Sequence, residues 1–226
     1  MLLPIESLLS AEEVQQCRQL LFASEWQDGA ATAGGLARTV KNNFQLDDNS
    51  DNARRLQDFV LHRLRQHPTF VSATLPEHIY PPKFNLYQNG GHYGQHVDSA
   101  VMTLASGQVL RTDVSATLFL CDPDDYDGGE LQIETRYGMQ SVKLPAGSLI
   151  LYPSHSLHQV TPVTRGQRLC SFFWIQSLVR DSHNRELLFD LDQSIQSLTI
   201  THGNGHEDVV RLSQIYHNLL RQWSMS

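Results

Sequence analysis

Two His-x-Asp spacings occur in the chain, His96-Val-Asp98 and His206-Glu-Asp208. With 11 His among 226 residues, chance alone supplies about 0.7 such spacings, so context has to separate ligands from accident. His206-Glu-Asp208 follows Gly203-Asn-Gly205 and opens an apolar helical stripe. Residues two apart on a helix point in different directions, and acids there serve the helix dipole. His96-Val-Asp98 follows the Gly90-Gly91 turn and Tyr93-Gly-Gln, in a segment that reads as a strand. Residues i and i+2 of a strand project from one face, about 6.6 Å apart, and can converge on one ion. A third ligand must come from a distant segment, and Tyr152-Pro-Ser-His155-Ser-Leu-His158 offers two candidates. Two His and one carboxylate form a facial triad with open coordination positions, a donor set that suits Fe(II); no thiolate accompanies it.

Arg168 sharpens that chemistry. In a strand from Arg168 to Ser177, period two places Arg168, Cys170, Phe172, Trp174 and Gln176 on one face. An arginine facing a barrel interior is costly unless an anion pairs with it. A dicarboxylate cosubstrate would supply that anion and match the guanidinium fork. Fe(II) with Asp98, a 2-oxo dicarboxylate and Arg168 together carry no net charge. The run Lys83 to Gln88 sets Asn85 and Tyr87 on one face with Lys83, and the Tyr87 phenol is placed to meet a cosubstrate carboxylate or to serve as an ordinary amphipathic wall.

These residues need a scaffold, and the chain has three textures. Residues 1–77 read as a mainly helical flank. Ser10-Ala-Glu-Glu13 has capping-box spacing, with Val14, Cys17 and Leu21 on the face that follows. A second helix starts near Ser50 or Asp51, carries Leu56, Phe59, Val60 and Leu64, and stops before Pro68. Between them Asp28-Gly-Ala-Ala-Thr-Ala-Gly-Gly35, continuing through Arg38, Lys41 and Asn43, reads as a long surface loop. Residues 78–178 hold short strand-like runs at 83–88, 115–121, 130–134, 140–144, 148–152 and 168–177, separated by turn signals such as Asp127-Gly-Gly129. Such spacing without helical pattern indicates an antiparallel sandwich or barrel. Residues 179–226 turn helical again, with Leu187, Leu188, Leu191 and Ile195 on one stripe and Val209, Leu212, Ile215, Tyr216, Leu219 and Trp223 on another.

His96-x-Asp98, 59 intervening residues, His158, and Arg168 ten positions on resemble the Fe(II)/2-oxoglutarate-dependent dioxygenases, more narrowly the prolyl and lysyl hydroxylase type. Asn85-Leu-Tyr87, Gly128-Gly-Glu-Leu131, Trp174 and the run from His158 to Arg168 support the match. The whole chain, helical C-terminus included, resembles the bacterial PKHD-type hydroxylases, some of which are associated with iron uptake. The resemblance implies a mainly β protein with α flanks: a double-stranded β-helix (jelly-roll) core at 78–178, a helical N-terminal region and two C-terminal helices. It implies one Fe(2+) per subunit, held by His96, Asp98 and His158, with 2-oxoglutarate anchored by Arg168 and L-ascorbate (vitamin C) as reductant. Tyr87 is expected beside the cosubstrate, with Asn85 and Trp174 in the pocket. The implied reaction hydroxylates an unactivated C–H with release of succinate and CO2. The rivals are a cupin-like isomerase or hydrolase that uses the triad without 2-oxoglutarate, and a binding module that kept the fold but lost catalysis.

Other features take ordinary readings. His155 sits beside Pro153 and Ser154 in what reads as a loop, and the glycines around His92 preclude the helix that an i, i+4 zinc pair with His96 would need. Asp122-Pro-Asp-Asp-Tyr-Asp-Gly128 fails the calcium-loop register and reads as a solvated turn. Arg38, Lys41 and Asn43 read as exposed surface rather than substrate contacts. Ser99 to Asp113 is a candidate lid over the pocket mouth.

Composition bounds the partners. A net charge of −7 argues against a nucleic-acid binder, which needs a basic face. Cys17, Cys121 and Cys170 form neither a disulfide framework nor a zinc ribbon. No secretory signal and no membrane-spanning apolar run are visible, so a cytoplasmic protein is expected. The remaining partners are O2, a small-molecule or peptide substrate and, through the apolar C-terminal helices, a second copy in a homodimer.

Overall fold

The computed structural model describes residues 1–32, 39–104 and 106–224; Arg38 lies outside them. In chain order the strands are β1 (Leu3–Ile5), β2 (Trp26–Asp28), β3 (Lys41–Asn42), β4 (Phe44–Leu46), β5 (Pro76–Ile79), β6 (Lys83–Gln88), β7 (His92–His96), β8 (Val101–Thr103) and β9 (Val109–Arg111). They continue with β10 (Val114–Phe119), β11 (Tyr126–Gly128), β12 (Leu131–Thr135), β13 (Gly138–Val142), β14 (Leu149–Pro153), β15 (His158–Val160) and β16 (Val163–Ser177). The helices are α1 (Ala11–Phe22), α2 (Asp51–Gln66), α3 (Pro68–Thr74), α4 (Ser182–His202) and α5 (Glu207–Trp223).

All the strands but β8 and β9, which pair with each other, form the two facing sheets of a jelly roll. The larger runs β1-β14-β10-β16-β6-β4-β2, with β5 and β11 also paired to β16; the smaller runs β13-β12-β15-β7-β3. All these pairings are antiparallel. β10 lies between β14 and β16, and all six of its residues are buried. Its core positions Ala116 and Leu118 share one cluster with Leu21 of α1 and Leu56, Val60 and Leu64 of α2. Helices α1 and α2 thus cover one face of the larger sheet, while its other face and the smaller sheet enclose the site.

Local chemistry explains the helix ends. Ser10 and Glu13 complete a reciprocal capping box on α1. Ser50 caps α2, which ends at Gln66 because Pro68 begins α3. Gly203, at φ 84°, separates α4 from α5. His206 caps α5 by accepting from the Asp208 amide at 3.3 Å, so the second His-x-Asp spacing is a helix start.

The structure corrects several expectations. The first 46 residues, read as helix and loop, also supply β1, β2 and β4 to the larger sheet and β3 to the smaller. These strands have two or three residues, too few to show a period of two. Lys41 and Asn43, expected at the surface, are 8% and 4% exposed: Lys41 lies on β3, which pairs with β7, and Asn43 links β3 to β4 with its carbonyl accepting from the Gly29 amide at 2.8 Å. Strand β7 ends at His96, so Asp98 stands on the segment beyond it and not within the strand. Within the candidate lid, Ser99 to Asp113, β8 and β9 pair antiparallel and the Thr112 hydroxyl donates to the Ser99 carbonyl at 2.6 Å, an addition to that expectation and not a correction of it. On α4 the buried side chains are Arg185, Leu188 and Phe189, and Leu187 is 44% exposed. The acidic turn fits its plain reading: Asp127 pairs with Arg165 at 2.7 Å and Asp125 with Arg18 at 3.2 Å.

Candidate metal centre

The smaller sheet aligns the first two ligands. β15 and β7 pair with His158 opposite His96, and their ring centroids lie 4.3 Å apart. Asp98, two residues past the end of β7, turns its carboxylate toward them: Oδ2 is 3.8 Å from His158 Nε2. One ligand atom from each of His96, Asp98 and His158 lies within 4.8 Å of the others, the one such group of His, Cys, Asp or Glu among the described residues. His92 and His155 fall outside it. His155 is exposed on a turn, and the His92 ring is held to the Gly90 carbonyl at 3.0 Å.

Hydrogen bonds behind the triad fix which atoms it offers. His96 Nδ1 lies 2.8 Å from the Gly94 carbonyl, and His158 Nδ1 lies 2.9 Å from that of Ser156. A carbonyl only accepts, so both Nδ1 atoms carry the proton and both Nε2 atoms are the lone-pair donors. Burial first, then the neighbouring His158, pushes His96 down to about 4, so its imidazole is neutral, the metal-binding form. Asp98 Oδ2 accepts from the Ser115 hydroxyl at 2.6 Å, and the Ser154 hydroxyl lies 2.8 Å from the same Ser115 oxygen.

Arg168 lines the same cavity, of about 270 Å³. It is 1% exposed and pairs across β16 and β6 with Tyr87. Its guanidinium lies 5.2 Å from the Tyr87 ring and 5.4 Å from that of Phe119. Nη1 donates to Cys170 Sγ at 2.9 Å, while Nε and Nη2 are buried with no hydrogen-bond partner. Buried donors of a charged group are satisfied in a working protein, and a carboxylate satisfies two of them at once. Gly129 leaves the necessary room. With φ at +68°, a Cβ there would stand 3.0 Å from Arg168 Cδ and 2.9 Å from the Tyr126 ring.

Asn85, Tyr87 and Trp174 also line the cavity. Asn85 Nδ2 donates to the Tyr87 phenol oxygen at 3.3 Å, and its own Oδ1 has no partner. Trp174 packs edge-on against Tyr80 and Phe172, at 5.5 Å in each case, and forms part of the cavity wall. Every residue singled out for the site therefore borders one cavity. Reading the sequence missed Lys41, Gln45 and Ser115 on its lining. For Ser115 a signal existed, since Ser115 and Thr117 alternate with apolar residues in a central strand, and a buried hydroxyl has to bond something.

The arrangement fits Fe(II) and a dicarboxylate: two imidazoles that present Nε2 and one carboxylate, with two unmet guanidinium donor atoms in the same cavity. An isomerase or hydrolase that used the triad alone would leave Arg168 exposed, and it is buried.

Comparison with known proteins agrees. Residues 82–176 match the 2OG-Fe(II) oxygenase superfamily model, and residues 182–224 match the PKHD-type hydroxylase C-terminal domain. A PKHD-type hydroxylase of Teredinibacter turnerae is 58% identical over 224 residues, covering 99% of each chain. Another, of Acidovorax ebreus, is 57% identical over 225 residues, again covering 99% of each. Among solved structures, a Pseudomonas putida prolyl-4-hydroxylase superposes with a TM-score of 0.52 at 22% identity, covering 78% of this chain and 92% of that one. The carbocyclase SnoK of nogalamycin biosynthesis, described as non-heme and alpha-ketoglutarate dependent, gives 0.56 at 13%, covering 79% and 80%. These last two are likenesses of fold.

Proposed function

The chain belongs to the PKHD-type hydroxylases of the 2OG-Fe(II) oxygenase superfamily, and from that premise we propose that His96, Asp98 and His158 hold its iron and Arg168 its cosubstrate. The protein is an Fe(II)- and 2-oxoglutarate-dependent dioxygenase. One observation carries the residue assignment: a single cavity joins the only such ligand cluster among the described residues to a buried arginine with two unpartnered donors.

Iron with 2-oxoglutarate supplies, when bound, the oxidation itself: O2 is consumed, the cosubstrate leaves as succinate and CO2, and one oxygen atom enters a substrate C–H. The chain supplies position, charge and dryness. His96 and His158 present Nε2 because the Gly94 and Ser156 carbonyls hold the Nδ1 protons. Ser115 fixes one oxygen of the Asp98 carboxylate. Arg168, between the Tyr87 and Phe119 rings, orients the cosubstrate along the cavity, and Asn85 holds the Tyr87 phenol beside it. Phe172, Trp174 and Met102 line the walls and keep water from the reacting centre. Ascorbate enters the proposal as the reductant that restores Fe(II).

The assay is succinate release from 2-oxoglutarate with Fe(II), ascorbate and O2. Slow turnover without substrate, abolished by leaving out iron, is the expected result. Neither turnover nor 2-oxoglutarate binding to the Fe(II)-loaded protein would refute the assignment.

A further inference from the structure

Of the three ligands, Asp98 has the least support from its backbone. His96 and His158 stand on strands paired to each other, whereas Asp98 lies two residues beyond β7, in a segment outside the sheets. Among the described residues its carboxylate accepts one hydrogen bond, at Oδ2 from the Ser115 hydroxyl at 2.6 Å. A hydroxyl has a single proton to give, so the hold on Asp98 depends on where the Ser115 proton points.

A second hydroxyl decides that direction. Ser154 Oγ lies 2.8 Å from Ser115 Oγ. An ionised carboxylate only accepts, so the 2.6 Å contact consumes the Ser115 proton, and the 2.8 Å contact needs one from Ser154. The reverse arrangement would leave Asp98 Oδ2 facing an oxygen lone pair at 2.6 Å, which is repulsive. The bonds therefore run one way, from Ser154 to Ser115 to Asp98, and each polarises the next. Ser115 and Ser154 are 2% and 3% exposed, and Ser154 stands behind Ser115, outside the cavity lining.

The turn that carries Ser154 is fixed without the metal. The Ser154 amide donates to the Asp113 carbonyl at 3.3 Å, and the Ser156 amide to the Pro153 carbonyl at 3.0 Å. β10 and β14 pair with Ser115 opposite Tyr152, two residues before Ser154. The same turn supplies the Ser156 carbonyl beside His158 Nδ1. Residues 153–156 thus steady two ligands, one through a backbone carbonyl and one through a pair of hydroxyls.

We propose that Ser154 is a positioning residue of the metal centre. It donates to Ser115, commits the Ser115 proton to Asp98 and so holds the carboxylate in its ligating orientation. This rests on the reading of His96, Asp98 and His158 as the ligands.

The experiment uses the full chain with Co(II) as the probe ion, and reads its affinity by competition with a chelator and its environment by visible absorption. Loss of a direct outer partner costs about 10–100-fold in metal affinity, and Ser154 is one bond further out, so Ser154→Ala should bind about three- to tenfold more weakly. Its Co(II) bands should shift. Ser154→Cys, close in shape but a weak donor, should behave as Ser154→Ala does. In a Ser115→Ala background, adding Ser154→Ala should change the affinity by less than about twofold, because no oxygen remains to pass the effect on. His155→Ala, in the same turn but outside the path, should bind as wild type does. Wild-type affinity and bands in Ser154→Ala or Ser154→Cys would overturn the proposal. So would an equal loss in both backgrounds, or the same loss in His155→Ala, since each marks a loosened turn. Asp98→Ala separates the two readings: undiminished Co(II) binding there refutes the ligand assignment itself, whereas its loss, with Ser154→Ala unaffected, refutes only the role of Ser154.

Discussion

In Arg168→Met, the 2-oxoglutarate concentration needed for half-maximal succinate release should rise by roughly thirty-fold to a few thousand-fold. Truncating one partner of a buried, hydrogen-bonded charge pair costs about 2–5 kcal/mol, and each ~1.4 kcal/mol is tenfold in affinity. Stability should move the other way. Arg168 is 1% exposed, and without ligand its charged group has one hydrogen bond, to Cys170. A buried charge without a counter-ion is a burden on folding that an apolar residue of similar size removes. The Met variant without ligand should therefore melt no lower than wild type. Wild type, by contrast, gains about 2.7 kcal/mol from 2-oxoglutarate at a hundred times its Kd, a gain the variant should lose. Thermal melts with and without 2-oxoglutarate check both statements. A variant destabilised without ligand, yet still stabilised by 2-oxoglutarate as wild type is, would show that Arg168 is a core residue and not the anchor.

The second large effect belongs to Asp98. Its carboxylate is the one anionic member of the triad, 3.8 Å from His158 Nε2. Removing one member of a buried ionic set costs on the order of 3–5 kcal/mol. Asp98→Ala should therefore bind Fe(II) at least a hundredfold more weakly and release no succinate above background. Ser115→Ala supplies the graded comparison. It keeps the carboxylate but removes the 2.6 Å hydrogen bond to Oδ2, and a lost outer partner typically costs about 10–100-fold in metal affinity. Metal binding followed by competition with a chelator should rank wild type, Ser115→Ala and Asp98→Ala in that order. Equal affinity in all three would place the metal elsewhere.

How far the sequence foretold this site depends on how each residue is held. His96, His158 and Arg168 lie on strands paired to strands, with His96 opposite His158 and Arg168 opposite Tyr87, so a period of two carries them to the cavity. Asn85 and Tyr87 alternate with Leu86 on β6, and Trp174 shares the Arg168 face of β16. Asp98 reached the right place for a different reason than strand geometry suggests. It leaves the end of β7, and Ser115 holds its carboxylate. Lys41 and Gln45 were not legible. They stand on strands of two and three residues within a Gly-rich region, and only long-range pairing of β3 with β7 and of β4 with β6 turns them inward. Ser115 was legible but not used: β10 alternates Val114, Ser115, Ala116, Thr117 and Leu118, which sets Ser115 and Thr117 on the face toward the cavity. Helix ends, in contrast, are local chemistry, and Ser10, Ser50 and Gly203 mark them where expected.

The placement of metal and cosubstrate is tested most directly by crystals of the protein grown anaerobically with Mn(II) in place of iron and with 2-oxoglutarate, using anomalous scattering to find the ion. The expected result is a single Mn(II) bonded to His96 Nε2, His158 Nε2 and an Asp98 oxygen, with a carboxylate of 2-oxoglutarate on Arg168 Nε and Nη2. An ion bound elsewhere, coordination through either Nδ1 atom, or a 2-oxoglutarate that leaves Arg168 untouched would contradict it.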